Sequence, residues 1–339
     1  MSQPVKNDLL TALLKQVSRL FYLTLRMLPV VVRPQVSLAY LLARTSDTIA
    51  DTEMVAVESR LQALEALRQR IMGTSQTKLD FGPLAQNQGL PAERVLLERV
   101  EEALTVLAGF AEADQRLIRE VLETIISGQE LDLKRFGAKG KEIIALETDA
   151  ELDDYTYRVA GCVGEFWTKI CLAHLSTIPK YEEKFLLRNG VRFGKGLQMV
   201  NILRDLPRDL RNGRCYLPIT ELTTIGLKPS DLLDPANEPK LRPLYNRYLE
   251  KAEELLGSGW DYTNVLPRKE MRLRLACAWP ILSGARTLRN LRKGHVLDGN
   301  IRIKASRAEV WSILIRTVIF YPLVRRWKGL FWKELKGIK

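Results

Sequence analysis

Apolar residues return every three or four positions along almost the whole chain, a period that fits helices and little else. It runs through 9–28, 35–53, 54–72, 91–107, 114–136, 153–174, 180–209, 241–256 and 269–292. No run alternates apolar and polar residues over a strand's length beside a hairpin turn, so an all-α fold is expected. Loops are marked by 73–91, rich in Gly, Gln, Ser and Pro, and by 226–243, which holds four prolines. With 339 residues, 46% of them hydrophobic, the chain can bury a sizeable core in one large domain or two ordinary ones. The division expected is a helical body over 1–300 and a tail over 301–339.

Within that helical pattern two polar clusters share one geometry. Asp47-Thr-Ile-Ala-Asp51 and Asn201-Ile-Leu-Arg204-Asp205-Leu-Pro207-Arg208-Asp209 each repeat an oxygen ligand every fourth residue. On a helix such residues share a face, so each cluster aims its oxygens in one direction. Opposed, the two faces would cage hard divalent cations. Mg²⁺ prefers oxygen, keeps several waters and commonly takes only one or two carboxylates besides substrate phosphates. Tyr40, Arg44, Asp47 and Asp51 form a polar stripe on a helix whose other faces carry Val36, Leu38, Leu41, Leu42 and Ile49. A stripe of this kind is also what a solvated helix face looks like. The second cluster, Gln198, Asn201, Asp205 and Asp209, has Arg204 beside it, and carboxylates next to guanidinium suit a site where metal and arginine share a phosphate. Pro207 is expected to kink this helix and leave Asp209 the weakest ligand.

Other chemistries find less support. Four cysteines, Cys162, Cys171, Cys215 and Cys277, lack zinc or redox spacing and read as buried thiols of a reducing cytoplasm. Only His174 and His295 occur, too few for a histidine-built metal site or a Ser-His-Asp mechanism, and His174 reads as a helix-end or core residue. The net charge of +12 is concentrated in the tail, where 301–339 has ten Lys or Arg against two Glu, a surplus of eight. That tail is also apolar, but Arg316 and Pro322 interrupt a run already shorter than the ~20 residues a membrane span needs. Tryptophans beside basic residues instead suit an anionic membrane surface. A last core helix with a solvated basic end is the competing reading. No signal peptide is evident, because Lys15, Arg19 and Arg26 break the first apolar run. The cations lie on an apolar, tryptophan-bearing tail without a groove-reading element, so no nucleic-acid partner is expected.

The segments Tyr40-Leu-Leu-Ala-Arg44-Thr-Ser-Asp47-Thr-Ile-Ala-Asp51, Tyr155-Thr-Tyr157-Arg-Val159-Ala-Gly161-Cys-Val-Gly164 and Gln198-Met-Val-Asn201-Ile-Leu-Arg204-Asp205, in this order, resemble motifs of the squalene and phytoene synthase family. The likeness runs over about 18–308. It implies a single-domain class I isoprenoid synthase bundle around a central apolar cavity, with the acidic helices facing each other at its mouth. Asp47 and Asp51 would be the first Mg²⁺ group; Asn201, Asp205 and Asp209 the second. Tyr155, Tyr40, Arg44 and Arg204 would be catalytic, Tyr155 in proton removal or cation steering. Arg19, Phe21, Gln198, Arg214 and Tyr216 would bind substrate, with Arg19, Arg44, Arg204, Arg214 and Tyr216 holding the diphosphates. Ala160, Gly161 and Gly164 leave room for the isoprenoid chain or for close helix packing.

Departures from the family pattern stand at Ala50 and Arg208, where an acidic residue is usual, and at Leu20, where a serine is usual. The resemblance implies that two farnesyl diphosphates join head to head through presqualene diphosphate. Reduction to squalene would follow, since the segment around Arg302 and Lys304 resembles one used near NADPH and Cys277-Ala-Trp-Pro280 resembles a late core motif. The segment also reads as a basic linker. Expected alongside are Mg²⁺ and NADPH as cofactors, a monomer, and a cytoplasmic location attached to the inner membrane face through the tail. Alternatives are a phytoene, dehydrosqualene or presqualene diphosphate synthase without reduction, or a membrane-bound isoprenoid-binding protein without turnover.

Overall fold

The computed structural model describes residues 9–18, 21–137 and 142–337. A π turn at Leu9–Leu13 leads into Leu14–Ser18, and Phe21–Met27 follows. Then come α1 (Arg33–Ala50), α2 (Val57–Met72), a short helix at Gly82–Gln86, α3 (Pro91–Glu98), α4 (Val100–Ala108) and α5 (Glu112–Phe136). Beyond these lie β1 (Ile144–Ala145), α6 (Asp149–Thr156), a π turn at Tyr157–Gly161, α7 (Cys162–His174), α8 (Glu183–Arg211) and β2 (Arg214–Cys215). The chain closes with α9 (Glu238–Val265), α10 (Met271–Lys293), α11 (Arg307–Phe320) and α12 (Val324–Lys336). The fold is all-α apart from the parallel pair β1–β2. Contacts gather it into two units, residues 1–138 with 166–176, and residues 139–165 with 177–339.

In the first unit α1 packs on α2, α4 and α5. Pro34 sits in its opening turn, where the missing N–H leaves no bond unmade. Leu38, Leu41, Leu42 and Ile49 of α1 are fully buried with Leu64 and Leu67 of α2 and Ile118, Leu122 and Ile126 of α5. The apolar faces read from the sequence are therefore core, and the stripe from Tyr40 to Asp51 is what they leave over. His174 closes this unit rather than catalysing: its Nε2 lies 2.7 Å from Asp114, which also accepts from the Gln35 amide at 2.9 Å.

The second unit is built on backbone approach. A Cβ on Gly164 would lie 1.9 Å from the carbonyl oxygen of Gly190, and one on Gly194 would lie 2.1 Å from that of Ala160. Close packing of the Tyr157–Gly161 turn and the start of α7 against α8 accounts for Gly164. On its other side α8 packs along α9. Helix α8 continues through Pro207 to Arg211 and so carries Asp209 within it. Proline removes the N–H that would have bonded the Leu203 carbonyl, and the buried Tyr245 hydroxyl of α9 donates to that carbonyl instead, at 2.8 Å. Helix α9 begins earlier than the sequence suggested, with Pro239 in its opening turn and Pro243 inside it. All four cysteines are buried free thiols, and burial pushes Cys162 and Cys215 up to about 12, which keeps them inert.

The tail is helical and docked. Trp327, Leu330, Phe331 and Leu335 of α12 are buried, and Trp327 stacks on Trp260 of α9 at 5.4 Å. The buried Glu334 pairs with Arg316 of α11 at 2.8 Å and also with Arg286 of α10. Segment 301–339 is thus grouped with the second unit, and Trp327 and Phe331 of α12 are core while Trp332 is 51% exposed. Among the described residues no helix is long and apolar enough to cross a membrane.

Tyr245→Phe removes only the hydroxyl that satisfies Leu203, and a buried unpartnered carbonyl costs roughly 1–3 kcal/mol. The variant is expected to unfold at lower urea with an unchanged slope. An unmoved midpoint would mean that the carbonyl finds another donor.

Candidate functional site

The stripe of the first unit keeps its sequence order in space. Asp51 stands at the C-cap of α1 with its N–H on the Asp47 carbonyl at 2.8 Å, so the two carboxylates are still one helical turn apart. Arg44 lies 3.9 Å from the Asp47 carboxylate and hydrogen-bonds Glu93 of α3. The Gln129 amide of α5 donates to Asp47. Neither Glu93 nor Gln129 was singled out from the sequence. Gln129 had left a signal, since it interrupts the apolar face made by Leu122, Ile125, Ile126 and Leu133.

Asp47 is pushed up to about 6, first by desolvation and then by the Asp51 charge, against the pull of Arg44 and Gln129. Its side chain nonetheless keeps 48% of its surface open. A carboxylate whose ionised form is disfavoured in this way is stabilised by an added cation.

The second unit connects its residues in a chain of contacts. The ring of Tyr155, at the end of α6, stacks on Tyr216 with centroids 4.6 Å apart and planes at 22°. The β1–β2 pair, Ile144 with Arg214 and Ala145 with Cys215, holds the strand that carries Arg214 and leads into Tyr216. Gln198 of α8 approaches the Tyr155 hydroxyl at 3.4 Å, and Asn201 donates to Gln198 at 3.3 Å. One turn on, Asp205 accepts from Arg204 at 3.0 Å and from both ends of the Arg302 guanidinium at 2.9 and 3.1 Å. Burial pushes Asp205 up, but Arg204 and then Arg302 outweigh it and hold the carboxyl below its usual value. The two acidic clusters are thus tuned in opposite senses.

Arg302 is the residue whose placement departs most from expectation. Expected at a nicotinamide phosphate, it is engaged with a carboxylate of the second cluster, while the Gly299 carbonyl three residues earlier accepts from Arg211. The Lys304 carbonyl accepts from Asn290 at 3.3 Å. Arg19 and the Phe21 side chain lie outside the described residues. Among the described residues no three His, Cys, Asp or Glu side chains converge as a ready cage. The donors still fit Mg²⁺, because hard oxygens are present and that ion needs only one or two carboxylates when water and phosphate complete its shell.

Over residues 14–309 the sequence matches the squalene/phytoene synthase family. A bifunctional lycopene cyclase/phytoene synthase of Arthroderma gypseum is 32% identical across 75% of this chain, but the match spans only 42% of that protein. One from Colletotrichum graminicola is 26% identical across 90% of this chain and 51% of its own length. Among solved structures, ligand-bound TcSQS superposes with a TM-score of 0.76 at 22% identity, covering 98% of both chains. Squalene synthase HpnC from Alicyclobacillus acidocaldarius gives a TM-score of 0.62 at 19% identity, with 87% of this chain and 97% of that one covered. A ligand-bound dehydrosqualene synthase gives 0.67 at 22%, covering 95% of this chain and 99% of its own. These likenesses concern the fold.

The tuning of Asp47 has a measurable sign. Its value rises on folding from an ordinary 3.8 to about 6, so ionisation opposes folding above that range and the penalty fades as pH falls through it. Asp47→Asn is therefore expected to raise the Tm of metal-free protein at pH 8, the gain shrinking below pH 6 and vanishing by about pH 4. A gain independent of pH would trace to packing instead.

Proposed function

The chain belongs to the squalene and phytoene synthase family, and from that premise we propose that it joins two farnesyl diphosphates head to head to presqualene diphosphate, which it then reduces to squalene with NADPH. The contacts from Tyr216 through Tyr155 and Gln198 to Asn201, with Asp205 and its two arginines one helical turn further along α8, carry this reading. They join an aromatic surface to a polyanion site within one unit.

In this reading Arg204 and Arg302 grip the departing diphosphate by paired hydrogen bonds, with Arg44 and Arg214 as further cations for the substrate pair. Arg302, held by Asp205 in the free protein, turns to the phosphate when it arrives. Mg²⁺ bound by Asp47 and Asp51, and by Asn201, Asp205 and Asp209, supplies the charge that makes diphosphate a leaving group. The stacked Tyr155 and Tyr216 rings offer π faces to the allylic cation. The amide of Gln198 orients the Tyr155 hydroxyl, which hands the proton lost on ring closure toward the diphosphate. Apolar helix faces around the prenyl chains keep water from the cation.

A second reading ends without reduction, at a phytoene-type or dehydrosqualene-type product or at presqualene diphosphate itself. One observation favours it: the curated relatives carry phytoene synthase in their names. Incubation with farnesyl diphosphate and Mg²⁺, with and without NADPH, separates the two. Squalene formed only with NADPH supports the reductive reading, whereas dehydrosqualene released without it supports the other.

Asp47→Ala and Asp205→Ala are each expected to lower turnover of farnesyl diphosphate by about 10²–10³-fold in folded protein. Near-normal rates would reduce both clusters to solvated helix faces. Arg302→Ala is expected to slow presqualene diphosphate formation by roughly tenfold or more, the worth of one charge-assisted phosphate contact. If it spares that step and changes only the NADPH requirement, Arg302 serves the nicotinamide after all.

A further inference from the structure

Helix α11 turns an apolar stripe outward. Trp311, Ile315, Val318 and Ile319 are 62, 55, 48 and 58% exposed, at helical spacings that place them on one face. Leu323 and Val324 extend the stripe around the turn into α12 at 45 and 43%. The opposite face is committed inward, with Ile313 and Thr317 buried and Thr317 accepting from the Trp279 indole of α10 at 3.0 Å. So large an exposed apolar run needs a partner.

Charge identifies which. Both acids of 301–339 are turned inward: Glu309 pairs with Arg286 at 2.8 Å, and Glu334 with Arg286 and Arg316. Arg325, Arg326 and Lys328 remain exposed at the end of the stripe. The Arg326 guanidinium lies 5.6 Å over the Phe320 ring, which fixes a cation beside the last turn of α11. From a neighbouring loop the Arg268 guanidinium reaches the Pro322 carbonyl at 3.1 Å and adds another. An apolar helix face with cations gathered at its end is the pattern of an element lying in the headgroup plane of an anionic bilayer, with tryptophan at the interface and guanidinium among phosphates.

We infer that the outward face of α11, with the Leu323–Arg326 turn, docks this protein on an anionic lipid surface. The contact is by α11, whereas α12, richer in aromatic residues, is spent on the core. It is independent of the chemistry proposed above and uses none of its residues.

The test floats the full chain with vesicles of phosphatidylcholine alone or with phosphatidylglycerol, beside Trp311→Ser/Ile315→Ser/Ile319→Ser and Arg325→Ala/Arg326→Ala variants whose melting is checked by circular dichroism. The unmodified protein is expected to float with the anionic vesicles, and the triple variant to bind at least about tenfold more weakly. The arginine variant should lose roughly fivefold per cation on anionic vesicles only, and the loss should shrink in high salt. Absence of binding by the unmodified protein, or a folded triple variant that binds as well, would overturn the assignment. So would a dimer in light scattering that the triple variant splits, since a second copy would then be what covers the stripe.

Discussion

Backbone-to-backbone contact along α8 is the constraint on which the second unit depends. Where Gly164 faces the Gly190 carbonyl and Gly194 that of Ala160, there is no space for even a methyl group. Closeness on that side fixes the distance from α6 to α8, and hence whether the Tyr155 hydroxyl can meet Gln198. On the far side of the helix, the Tyr245 hydroxyl repairs the carbonyl that Pro207 strands. The helix that carries the polar row from Gln198 to Asp209 depends on neighbours that supply what its own sequence lacks.

That dependence explains what could be read from sequence and what could not. Apolar periodicity is local, and it located the helices, the buried face of α1 and the two polar rows. The donor for the carbonyl that Pro207 leaves unpaired lies in α9, and nothing near Pro207 announces it. Gln129 and Glu93 were missed because a partner for Asp47 or Arg44 is defined by packing, although Gln129 was visible as a polar break in an apolar face. The tail divided the two ways. Its tryptophans and cations pointed to a surface helix, and only packing separates Trp327, buried on Trp260, from Trp311, open to solvent.

The acidic clusters look alike in sequence and differ in electrostatics. Asp47 has one guanidinium at 3.9 Å, an amide donor and a like-charged neighbour, and the pull of the first two does not offset desolvation and the Asp51 charge. Asp205 has two guanidinium groups in contact and is overcompensated. A cation adds to the first for little rearrangement, while at the second it competes with Arg302 for the same oxygens. An incoming polyanion changes that balance, since it gives the arginine another place to bond. Carboxylate spacing alone could not have separated the two.

The burial of Glu334 sets a genetic consequence. A stop codon a few positions upstream of it would delete a stretch that looks dispensable, at the very end of the chain. It would also take the buried carboxylate from Arg316 and leave Arg286 with Glu309 alone. Uncompensated guanidinium beneath α11 is far costlier than a shortened terminus. Truncations before Glu334 should therefore behave as folding lesions rather than as trims.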